Sequence, residues 1–203
     1  MNQSSETKGV SRREQIMQAA LTCFVEKGFA ATTIDMIREK SGASTGSMYH
    51  HFRNKEAIAS ALYIEAMADH FSALRTALDA IDSNRKDVAE LGVKSIVHTY
   101  SHWIENHPEL AQYAFLGRSV IVDPEGKAQL AEQNKHQFAY LRGVFASWID
   151  KGLIRCMPVT LYHAIVIGPV QDYARQWLAG KVKTPMSEVT NELAEAAWRG
   201  VSV

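Results

Sequence analysis

Three observations predict an all-α fold. Apolar residues recur at helical spacing through most of the chain. No segment alternates with the period of two that a strand needs, and the breaks between periodic stretches fall at glycine, proline or capping residues. About nine helices are expected: a three-helix helix-turn-helix head over residues 11–55 and a helical body over residues 56–203. A polar arm, residues 1–10, precedes them and is expected to be disordered.

The elements follow in order. Ser11 and Glu14 have capping-box spacing, and Ile16, Ala19, Ala20, Cys23 and Phe24 form the stripe of a first amphipathic helix that ends at Gly28. Thr32 and Asp35 are spaced as a second capping box before Ile34 and Ile37. Gly42 supplies the positive φ of a sharp helix-helix turn, and Ser44 can cap a short third helix through Phe52. Asn54 can cap a long fourth helix carrying Ile58, Leu62, Met67, Phe71, Leu74 and Leu78. A fifth helix is expected from about Asp87 to Asn106, and a short sixth from Pro108 to Ser119. Val122-Asp123-Pro124-Glu125-Gly126 reads as a turn before a long helix from Lys127 to Lys151. Pro158 and Pro185 introduce the last two helices, Thr160 to Leu178 and one ending near Val201. Pro169 should kink the former, since it cannot donate to the carbonyl of Ile165.

Composition excludes several classes. Hydrophobic content of 46% and charged content of 22% are those of an ordinary globular domain, and no apolar run is long enough to span a bilayer. The polar start is not a secretory signal, and two cysteines, Cys23 and Cys156, cannot build a disulfide framework; a cytoplasmic protein with no membrane partner is expected. There is no Ser/His/Asp set, Gly-rich phosphate loop or paired carboxylates, so neither an enzyme nor a bound cofactor is expected. His98 and His102 are four apart on a helix but lack a third ligand, so no metal site is expected. The net charge of zero hides a division. Residues 1–55 carry +3 and the remainder −3, which is a basic head on an acidic body.

The helix-turn-helix carries the chemistry. A second helix that starts with small polar residues, Thr45, Gly46 and Ser47, can approach base edges closely, while Tyr49 and His50 can donate to phosphates. His51 is expected to turn inward with Phe52. Lys55 opens the fourth helix, where amides and an ammonium could converge on one phosphate.

From Ser11 to about Leu62, roughly a quarter of the chain, the sequence resembles the DNA-binding domain of the TetR family of bacterial transcriptional regulators. The matching pieces are Ala19-Ala20 with Phe24, Gly28-Phe29, Thr32-Thr33, Ile37, Gly42-Ala43-Ser44, Gly46 through Phe52, and Asn54 through Ala57. Arg38 departs from the small alanine of many relatives and is read as a snorkelling side chain that reaches phosphate. Thr45, often lysine in relatives, bears on which sequence is read. The DNA contacts expected on this basis are Thr32, Thr33, Arg38, Ser44, Thr45, Gly46, Ser47, Tyr49, His50 and Lys55.

The resemblance also implies a homodimer on a palindromic double-stranded operator and a small-molecule effector pocket between the fourth to eighth helices, with binding of effector releasing a repressor. Phe71, Tyr100, Trp103, Phe115, Phe138 and Trp148 are the lining candidates among the many aromatic residues of the body, each also suited to plain packing. In such regulators the last two helices pair with their copies in a second subunit. Their small and apolar faces carry Leu161, Ala164, Ile165 and Gly168, then Val189, Leu193, Ala196 and Ala197. Control by a protein partner, or by oxidation of Cys156 beside Arg155, is the alternative to a small-molecule effector.

Overall fold

The computed structural model describes residues 11–115 and 123–203, so the expected disordered arm and the end of the expected sixth helix lie outside the described residues. Among the described residues there are nine helices, and the pairing of Ile154 with Ser202 is an isolated bridge. They are α1 Arg12–Ala31, α2 Ile34–Ser41, α3 Thr45–His51, α4 Lys55–Asp79, α5 Val88–Asn106, α6 Pro108–Ala114, α7 Pro124–Asp150, α8 and α9 Met186–Val201. Helix α8 runs in three stretches, Val159–Tyr162, His163–Ile167 and Gly168–Leu178.

Local chemistry sets most boundaries. The Ser11 hydroxyl accepts from the Glu14 amide while the Glu14 carboxylate accepts from the Ser11 amide, closing the expected capping box. Gly42 at φ 65° turns α2 into α3 and returns its amide to Arg38 and Glu39. Ser44 and Asn54 cap α3 and α4 through the amides of Ser47 and Ala57. Two expectations are corrected. Thr33, not Thr32, caps α2 by accepting from the Met36 amide. Helix α7 begins at Pro124, not Lys127, because Asp123 caps it through the Gly126 amide at 2.7 Å and Pro124 occupies the first turn, where its missing N–H costs nothing.

Two apolar cores result. The head core gathers Ile16, Phe24, Ile37, Met48 and Phe52 with Ile58, Leu62 and Ile64 from the first half of α4. It also takes Tyr113 from α6 and Leu130 from α7, so the body reaches into the head. The Tyr113 hydroxyl donates to the Ala59 carbonyl at 2.8 Å, and burial pushes its pKa well above the usual tyrosine value. The body core packs Val93, Val97, Trp103 and Ile104 of α5 with Val170, Ala174, Ala194 and Val201 of the last two helices. Lys94 ties α5 to α9 by bonding both Glu90 and Glu195, and Ser187 donates to Glu105 at 2.9 Å.

The proline of α8 acts one turn earlier than a simple kink. His163–Ile167 widens into a π-helical turn, with the Gly168 amide donating five residues back to the His163 carbonyl. Pro169 has no N–H to offer Ile165, and the wider turn accommodates that missing bond.

Candidate nucleic-acid interface and its link to the body

The third helix divides into two faces. Met48 is buried in the head core, and Phe52 caps the helix from below with the Arg13 guanidinium 5.3 Å above its ring. On the outer side Ser44, Thr45, Gly46, Tyr49 and His50 are exposed and Ser47 is half-buried. Among the described residues nothing lies within 4 Å of where a Gly46 side chain would begin, and none of them covers the start of α3 there. His51 is half-buried, its ring 5.0 Å from that of His50. Thr33 is exposed at the start of α2, close to this face: it lines a shallow hollow of about 290 Å³ together with Tyr49, Arg53 and Lys55.

Three of the expected contacts are placed differently. Thr32 is fully buried and its hydroxyl donates to the carbonyls of Cys23 and Gly28, so it fixes the α1–α2 corner instead of offering a group to DNA. The Lys55 ammonium points into the head, donating to the carbonyls of Phe29 at 2.9 Å and Thr32 at 2.8 Å, 4.5 Å from the Phe29 ring. Arg38 lies along its own helix beside Asp35 at 3.4 Å and Glu39 at 3.8 Å.

A group that sequence reading passed over joins the head to the body. Arg53, the first residue after the Phe52 cap, reaches Asp123 at 3.3 Å and Glu125 at 3.1 Å. Asp123 is buried, and it also accepts from the Ser60 hydroxyl at 2.5 Å and the Gly126 amide at 2.7 Å. Burial alone would raise its pKa; the Ser60, Gly126 and Arg53 interactions outweigh that and hold the carboxyl below the usual carboxylate range. A side chain at 126 would strike Ser60 and Asp123, so this close approach requires glycine. Beside the group lies a cleft of about 400 Å³ lined by Tyr49, His50 and Arg53 on one side and Asp123 and Glu125 on the other.

In the body the six expected lining aromatics are not gathered in one cavity. Tyr100 and Trp103 are buried around the buried His70, whose ring lies 4.8 and 5.7 Å from theirs and 6.1 Å from Phe71. Trp103 donates to Asp69 at 3.0 Å, and Gln171 donates to the Tyr100 hydroxyl. Phe115 sits under the Arg175 guanidinium at 5.5 Å. Trp148 packs on Gly92 of α5, which accounts for it as core. Only Phe138 borders a markedly apolar groove, about 350 Å³, between α7 and α8. Leu141, Phe145, Tyr162 and Val166 are among its apolar walls, Arg142 and His163 also border it, and the π-helical turn forms one side.

Of the residues expected to pair two subunits, Leu161, Ala164 and Ala196 are exposed, and Ile165, Gly168, Val189 and Leu193 are half-buried. Ala197 is buried within the chain, so its side chain is unavailable to a partner. Arg155 donates to the Gly200 carbonyl, and Cys156 is exposed. Among the described residues no three His, Cys, Asp or Glu side chains could hold a metal ion, and no helix is long and apolar enough to cross a membrane.

A short helix held out from a three-helix head, small at its start and basic in its last turn, defines a helix-turn-helix DNA-binding regulator. The model of the bacterial regulatory proteins, tetR family, matches residues 16–62, the head and the start of α4. Over that segment the chain matches the family, and along nearly its whole length it has the fold of members of it. Over 200 residues, 98% of both chains, it is 25% identical to the HTH-type transcriptional repressor AcnR of Corynebacterium efficiens. A TetR family transcription regulator from Marinobacter aquaeolei has the same fold, with a TM-score of 0.76 and 22% identity over 94% of this chain and 95% of that one. So does the transcriptional regulator FadR of Bacillus subtilis, solved in complex with stearoyl-CoA, with a TM-score of 0.74 and 19% identity over 92% and 97% of the two chains.

Proposed function

We propose that this protein is a homodimeric repressor that binds a palindromic operator and leaves it when a small apolar molecule binds the body. The observation that carries the reading is the outer face of α3, where Thr45, Gly46, Tyr49 and His50 stand free above a buried Met48. A single short helix offers few contacts; two, one helical turn of DNA apart at about 34–36 Å, read successive major grooves, and a two-fold dimer supplies the second. Repression is favoured because AcnR, similar along nearly the whole chain, is named a repressor.

The effector reading is supported by the groove between α7 and α8, whose volume lies within the usual range for ligand sites and whose walls are almost wholly apolar. FadR of Bacillus subtilis, similar in fold, was solved with a ligand that carries a long apolar chain. A ligand that wedges α7 from α8 favours one arrangement of α7 over another, and α7 begins against the head.

Selection from random duplexes tests the DNA reading. A symmetric motif should be enriched, Thr45 substitutions should change which motif is preferred, and Tyr49→Phe should weaken all sequences alike. Enrichment of no symmetric motif would overturn the palindromic reading.

A further inference from the structure

We propose that Arg53 is a DNA-phosphate-binding residue, and that Asp123 and Glu125 at the start of α7 compete with the phosphate for its guanidinium. The inference rests on the DNA-binding reading above, and it places a contact between body and head at the DNA surface itself.

Position is the first argument. Arg53 follows directly on the third helix and borders two hollows at once: one with Thr33, Tyr49 and Lys55 on the head surface, the other with Asp123 and Glu125 of the body. Its side chain is half exposed, so the guanidinium can serve either side by rotation alone. Chemistry is the second. The planar fork of arginine fits carboxylate and phosphate in the same way, and both present partners are carboxylates from another element.

The third argument is that the present contact can be given up. Asp123 keeps the Ser60 hydroxyl and the Gly126 amide when Arg53 leaves, so its buried carboxylate loses a counter-charge but stays hydrogen-bonded. Glu125 is 78% exposed and returns to water. Asp123 itself stays fixed, as the cap of α7 and through its bond to Ser60 of α4. A swing of the Arg53 side chain away from Asp123 and Glu125 therefore releases it to DNA, and its return holds it at the two carboxylates beside the cleft of Tyr49 and His50. Helix α7 also walls the apolar groove with Phe138, Leu141 and Phe145, which gives a ligand there a physical route to the DNA surface.

The test uses the full chain and a fluorescent duplex of mixed sequence, followed by anisotropy over a salt series. Glu125→Gln removes the exposed competitor and should tighten binding about 2- to 5-fold at low salt. Asp123→Asn keeps a capping side chain and should add to the effect. Arg53→Ala should weaken binding to every sequence and lower the slope of log affinity against log salt by about one, while Arg53→Lys should restore the slope. In the Arg53→Ala background Glu125→Gln should tighten binding much less than in the wild type. Thermal melting of each variant separates these effects from loss of fold. An unchanged salt slope in Arg53→Ala, or a Glu125→Gln gain just as large without Arg53, would overturn the competition while leaving the DNA reading intact. A wild-type chain that binds no duplex at any salt would overturn the DNA reading and the proposal together.

Discussion

His70 is a buried imidazole on the apolar side of α4, enclosed by Tyr100, Trp103 and Phe71, and its Nδ1 has no hydrogen-bond partner among the described residues. Burial lowers its pKa to about 4, against a smaller opposing pull from Asp69. The folded protein therefore keeps His70 neutral where the unfolded chain, titrating near 6.5, takes up a proton. Its contribution is complete above pH 6.5 and is lost as the pH falls toward 4, roughly 3 kcal/mol in all and about 2 kcal/mol by pH 5. His70→Leu should remove this part of the acid sensitivity. Urea unfolding at pH 7.5 and pH 5 should show a smaller loss in the variant than in the wild type, and equal losses would place the titration elsewhere.

At the scale of the element, what could be read from sequence was whatever neighbouring residues settle among themselves. Ser11 with Glu14, Gly42 and Ser44 set helix ends by bonds within a few residues, and they stand where their spacing puts them. Thr32 and Thr33 were ambiguous because both are adjacent threonines able to cap; only the packing of α1 shows that Thr32 is the buried one. Asp123-Pro124 was ambiguous for another reason, since aspartate before proline suits both a turn and a helix start. Lys55, Arg53 and the aromatics depend on partners distant in the chain, and no local pattern carries that information.

Glycine in α5 and α7 shows the same division. An alanine at Gly92 would overlap the Trp148 ring, whereas at Gly143 it meets nothing within 4 Å among the described residues. Gly143→Ala should raise stability by about 1 kcal/mol through helix propensity. Gly92→Ala gains the same propensity but forces a buried tryptophan to move, which typically costs about 1–3 kcal/mol, so the net change should be neutral to destabilising. Thermal melts that ranked Gly92→Ala above Gly143→Ala would show that Trp148 is loosely held.

For the whole molecule the proposed homodimer raises the question of which surface joins two copies. Ile165 is a poor probe, because it packs against Gly200 within its own chain and a charge there would disturb the subunit before any interface. Leu161 and Ala196 are better, since both are exposed and their removal leaves the subunit core untouched. In a two-fold dimer each substitution occurs twice, so Leu161→Arg or Ala196→Arg puts two unpaired charges into a desolvated contact. The expected result is a shift toward monomer in sedimentation at micromolar concentration, with each subunit still cooperatively folded in a thermal melt. Operator affinity should fall much further than affinity for DNA of arbitrary sequence, because only the operator rewards two third helices held one turn of DNA apart. Variants that stay dimeric would move the interface off these faces of α8 and α9. A wild type that is monomeric under the same conditions would remove the geometric basis for reading a palindrome, and the head would then have to bind DNA one copy at a time.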